Sequence, residues 1–79
     1  MSNSPNFTKT FKSEYLSFGE CTVRKIGGVL LVTFGEDQVV WTARIKTTPI
    51  SWVRQYLEAN ASSYWAEKIT NYINQKITK

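Results

Sequence analysis

Three β-rich runs, Glu20 to Ile26, Val29 to Phe34 and Val39 to Lys46, follow one another with only Gly27-Gly28 and Gly35-Glu36-Asp37-Gln38 between them. Glycine pairs and short Gly- and Asp-bearing loops between such runs are hairpin signals, because they supply the backbone freedom that tight turns need. The runs predict an antiparallel meander. Pairing Ile26 with Val29 across the first turn, and Phe34 with Val39 across the second, gives two registers that agree with each other. Period-two alternation then divides the side chains between two faces. Cys21, Val23, Leu30, Val32, Phe34, Val39, Trp41, Ala43 and Ile45 fall on one, which is expected to be the core. Thr22, Arg24, Ile26, Val29, Leu31, Thr33, Val40, Thr42, Arg44 and Lys46 fall on the other.

Upstream, Met1 to Pro5 is small and polar and is expected to be a loose, disordered tail (residues 1–5), with a single domain over residues 6–79. Phe7, Phe11, Tyr15 and Phe18 recur at helical spacing, while Phe7, Lys9 and Phe11 alternate as in a strand. Thr8 and Thr10 favour a strand over Phe7 to Lys12, since β-branched side chains suit a pleated surface.

Downstream, Thr47-Thr48-Pro49 resembles a helix start, with Thr48 as cap and proline at the first helical position. Ile50, Val53 and Leu57, with Tyr56 beside them and Trp52 on the flank, form one apolar stripe. Trp65, Ile69, Tyr72, Ile73 and Ile77 form a second, displaced by one residue, or roughly 100° of rotation, from the continuation of the first. The phase break at Asn60-Ala61-Ser62-Ser63 predicts two helices. The expected fold class is α+β: a three- or four-stranded antiparallel β-meander with two C-terminal α-helices packed on the face that bears Trp41.

Composition excludes several kinds of chemistry. A chain of 79 residues buries one small core. With no histidine and one cysteine, Cys21, it has no Cys-His or Ser-His-Asp machinery, no zinc-finger ligand set and no internal disulfide. Cys21 on the core face is expected to behave as a small apolar residue. Gly27-Gly28 sits in a hairpin and not between strand and helix, so it is not a phosphate loop. Glu36 and Asp37 form the polar tip of a hairpin. The chain is expected to be no enzyme, to use no cofactor and to hold no metal; an enzyme fragment or subunit is disfavoured by the missing nucleophile and base combinations.

Ten Lys and Arg against six Asp and Glu give a net charge of +4 and a pI near 9.4, spread along the chain with no basic run longer than Arg24-Lys25. A positive field of this size favours phosphate-rich partners. Met-Ser-Asn-Ser-Pro has no basic n-region or apolar run of a secretory signal, and the longest apolar stretch, Val29 to Val32, is too short for a bilayer, so a cytoplasmic protein without membrane association is expected.

The expected nucleic-acid site is the second sheet face. Arg24 and Arg44 would bind phosphate or base edges, Lys25 and Lys46 would add phosphate contacts, and Thr22 and Thr42 would position them. Leu31, Val40, Ile26 and Val29 share that face, and an apolar patch among basic residues calls for a cover. The Phe7 to Phe18 segment, a second copy in a homodimer, or a partner protein would each supply one. The alternative function is thus a protein-binding regulator or inhibitor of the phage or mobile-element accessory type, anchored by Trp52, Leu31 and Val40. Trp41 and Trp65 are expected to pack in the core. A meander followed by helix matches, in element order alone, small domains that dock a sheet in a DNA groove.

Overall fold

A computed structural model of the chain describes residues 5–36 and 38–77. The expected tail therefore lies, apart from Pro5, outside the described residues, as does Asp37 of the second hairpin loop. Four strands form one antiparallel sheet in the order β1-β2-β3-β4: β1 Phe7–Lys12, β2 Glu20–Ile26, β3 Val29–Phe34 and β4 Val39–Arg44. Two helices follow, α1 Ile50–Asn60 and α2 Ser63–Ile77. The fold is α+β.

Both expected hairpin registers are present, with Ile26 opposite Val29 and Phe34 opposite Val39. Gly27 takes φ 61°, the left-handed conformation a two-residue turn demands, and its N–H donates to Asn6 Oδ1 at 3.0 Å. Strand β4 stops two residues short of its expected end. The N–H groups of Thr47 and Thr48 both donate to the Arg44 carbonyl, and this turn carries the chain out of the sheet after Arg44.

The segment Phe7–Lys12 is a strand, paired with β2 so that Phe11 faces Cys21 and Thr10 faces Thr22. It lies in the plane of the sheet. The expectation that it covers the outer face is therefore corrected: its backbone extends the ladder, and only the edge position beside β2 satisfies its hydrogen bonds. A 3-10 turn at Ser17–Gly19 then returns the chain to β2, with Leu16 buried beneath it.

Helices and sheet share one core on the face bearing Cys21, Val23, Leu30, Val32 and Phe34, where all five are essentially inaccessible. Helix α1 contributes Val53 and Leu57, and α2 contributes Ala66, Ile69 and Ile73. Tyr56 of α1 lies against Phe34 and Trp41, and Tyr72 of α2 meets Phe7 and Phe11 edge-on at 5.8 and 5.7 Å. Helix α1 thus packs against β3 and β4 and α2 against β1, while Ile77 at the end of α2 shares a small cavity with Leu30 and Ala43. Trp41 and Trp65 are half-buried at the rim of this core.

The helix break falls at Ala61 and Ser62, inside the expected linker. Ser62 Oγ accepts from the Trp65 N–H at 3.2 Å, as an N-cap serine does. Ser17 Oγ donates to the Asn60 carbonyl and ties the break to the loop before β2. At the other end, Thr48 makes no side-chain cap. Pro49, extended at φ −61° and ψ 146°, occupies the cap position, and its carbonyl accepts from the Trp52 N–H at 3.0 Å.

Candidate nucleic-acid interface

Alternation along four paired strands leaves the outer sheet face, among the described residues, without a helix or loop across it. Its side chains form transverse rows: Thr8, Arg24, Leu31 and Thr42 in one, Thr10, Thr22, Thr33 and Val40 in the next, and Ile26, Val29 and Arg44 on the other side. Arg24 and Arg44 stand two strands and one row apart, roughly 12 Å by strand spacing. Both are exposed, as is Thr42, whereas Thr22 and Thr33 are half-buried between neighbouring strands. Among the described residues no carboxylate lies within 4.0 Å of either guanidinium; the ion pairs run from Arg54 to Glu58 and Glu67 on the helices.

The expected site residues do not all meet here. Lys46 is exposed but sits in the turn after β4, beside Arg44 in sequence and off the regular face. Lys25 is a correction. It pairs with Phe7 and Leu30 on the inner face, in phase with Val23, and is only 6% exposed. Burial of its alkyl stem under the helical layer removes it from the open face, where its neighbour Arg24 remains.

Strand β1 widens the face with residues that were not expected there. Thr8, Thr10 and Lys12 point outward, Thr10 Oγ1 and Thr22 Oγ1 hydrogen-bond at 3.1 Å, and Lys12 stands opposite Glu20. The signal was the strand alternation itself: once Phe7 and Phe11 point inward, the residues between them must point out.

The apolar members of the face are real exposures. Ile26 is 55% and Val40 51% exposed, and Leu31, diagonal to Val40 across β3 and β4, is half-buried. Trp52 is 59% exposed but belongs to α1, on the helical side of the sheet. Trp52, Leu31 and Val40 therefore do not form one surface.

Inside the core, burial pushes the Cys21 thiol up to about 12, which disfavours the thiolate that nucleophilic chemistry needs. Tyr56 is raised as well, by burial and then by the nearby Cys21. Among the described residues there is no group of three His, Cys, Asp or Glu side chains able to hold a metal ion, and no helix is long and apolar enough to cross a membrane. Comparison with protein-family models, curated proteins and solved structures finds no match to this chain.

Proposed function

We propose that the chain is a non-enzymatic binding module that takes nucleic acid on its outer sheet face. The observation that carries this reading is the pair Arg24 and Arg44, both exposed and, among the described residues, without a carboxylate partner and on a face that no other element covers. Guanidinium groups match phosphate oxygens with paired donors, and the hydroxyls of Thr22 and Thr42 add neutral hydrogen bonds beside them. Lys46 supplies a third cation from the adjoining turn.

Scale decides which part of a duplex the face meets. Four strands span roughly 14 Å before side chains are counted, wider than the ~12 Å major groove. The sheet therefore lies across phosphates, and most of the binding energy is electrostatic and insensitive to sequence.

Exposure of Ile26 and Val40 favours a second reading, a protein partner seated on the same apolar patch. A second copy fits less well, because a two-fold stacking of this face would oppose the arginines of one copy to those of the other. Affinity capture with and without nuclease separates the readings. Nucleic acid on the sheet predicts that what co-purifies is nuclease-sensitive and lost in Arg24→Glu with Arg44→Glu. A nuclease-resistant partner lost in Val40→Asp instead would place the protein-binding reading first.

A further inference from the structure

A second basic surface lies on the opposite side of β1. Tyr64, Lys68, Tyr72 and Lys76 follow one another at i, i+4 spacing along α2, a ridge in which aromatic and cationic side chains alternate. Lys68 Nζ stands 5.7 Å from the Tyr64 ring centroid and 5.6 Å from that of Trp65. Lys76 Nζ is 5.5 Å from Tyr72, and Lys9 of β1 reaches the same ring at 6.0 Å. Among the described residues none of the three lysines has a carboxylate within 4.0 Å; Glu67, the nearest acid in sequence, turns to Arg54 at 3.8 Å.

The exposed end of this ridge is joined to the core by ring contacts. Tyr64 is 66% exposed, yet its ring meets Trp65 edge-on at 5.6 Å and 84°, and Trp65 in turn meets buried Phe11 at 6.2 Å and 69°. A chain of ring contacts therefore runs from the core to a tyrosine in solvent.

We infer that this ridge binds single-stranded nucleic acid, with an unpaired base stacked on Tyr64 and phosphates held by Lys68, Lys76 and Lys9. Charge complementarity selects a polyanion, and the exposed Tyr64 ring selects one with free base faces, which a duplex does not offer along its length. Lys68 and Lys76 lie roughly 12 Å apart along the helix axis, a run of about three to four nucleotides of stacked strand. This surface is separate from the outer sheet face and stands or falls independently of it.

The test is fluorescence anisotropy with a labelled thymidine oligonucleotide and a labelled duplex, on the full chain. Tyr64→Ala should weaken single-strand binding about 5- to 150-fold and leave duplex binding unchanged, while Tyr64→Phe should restore it, since only the ring face is needed. With three lysines engaged, the logarithm of single-strand affinity should fall with that of salt at a slope near −2, shrinking to about −0.7 in Lys68→Gln with Lys76→Gln. This second pair decides the matter if Tyr64→Ala fails to fold. Undiminished single-strand affinity in Tyr64→Ala, equal losses of single-strand and duplex binding, failure of Tyr64→Phe to rescue, an unaltered salt slope in the lysine pair, or no single-strand binding by the native chain at low salt would each overturn it. Duplex binding lost in Arg24→Glu with Arg44→Glu, and kept in Tyr64→Ala, would identify the sheet face as a distinct site whatever the ridge does.

Discussion

Tyr56 lies flat against Trp41, ring centroids 4.5 Å apart and planes 12° apart, and this stack joins α1 to the edge strand β4. Stacked pairs contribute about 0.5–1.5 kcal/mol beyond the area they bury. Because β4 has a neighbour on one side only, the stack adds to the β3 ladder that holds Arg44 and Thr42 on the outer face. Trp41→Ala should therefore cost about 3 kcal/mol, the lower end for aromatic truncations given that Trp41 is half-buried, and Trp41→Phe much less. Urea unfolding followed by circular dichroism measures both. For a domain this small, the alanine variant should be largely unfolded at 37 °C.

The same tyrosine carries a buried hydroxyl without a hydrogen-bond partner among the described residues. An unsatisfied buried polar group costs about 1–3 kcal/mol, so Tyr56→Phe, which keeps the ring and the stack, should raise stability by about 1 kcal/mol. A loss of stability in that variant would show that the hydroxyl is satisfied in solution.

Alkaline pH should destabilise the fold through Cys21. Its thiol is raised from 9.0 to about 12, so between those values the unfolded chain is ionised while the folded chain keeps its proton. The native state then binds more protons than the unfolded state, and stability falls as pH rises. Its contribution is fully present below about pH 9 and is lost across the window from 9 to about 12. Tyr56, raised in the same direction, steepens the fall. Denaturant midpoints measured across this window should decline in the native chain and decline less in Cys21→Ala, whatever the offset the substitution introduces at neutral pH.

Gly35 should be the least replaceable glycine. It adopts φ 71°, and a Cβ there would meet Phe18 Cβ and Gln38 Cγ, each at 2.9 Å. Gly19 also has positive φ, at 81°, but open space around it, and Gly28 has neither constraint. Thermal melts should rank the alanine variants accordingly: Gly28→Ala near neutral, Gly19→Ala losing about 1 kcal/mol, and Gly35→Ala losing about 1–3 kcal/mol more through the added clash.

Much of this architecture was legible because two signals agreed at each step. The hairpin registers were fixed by turns of defined length, and a one-residue slip would have turned Val23, Val32 and Trp41 outward. The helix break was legible from a phase shift between two apolar stripes. Lys25 shows where such reasoning stops. Alternation put it in phase with Val23, but its charge and its place near a hairpin end suggested exposure; its burial depends on β1 lying alongside and on the core packed over the inner face, and both are tertiary facts. Thr48 is similar. Its capping signal was sound locally, yet the turn on the Arg44 carbonyl places Pro49 at the helix entrance instead. The ridge on α2 escaped notice because its tyrosines and lysines differ only slightly, one residue at a time, from an ordinary amphipathic helix. What distinguishes it is the ring contact between Trp65 and Phe11, which sequence spacing does not reveal.

The outer face is tested most directly by the salt dependence of duplex DNA binding, measured by anisotropy for the native chain, for Arg24→Gln with Arg44→Gln, and for Lys68→Gln with Lys76→Gln. Two arginines on the face, Arg24 and Arg44, with Lys46 from the adjoining turn, predict a slope of log affinity on log salt near −2.7, falling to about −0.9 when both arginines are neutralised and unchanged when the two helix lysines are. Equal losses from the two double variants, or no duplex binding by the native chain at low salt, would contradict a nucleic-acid site on the sheet.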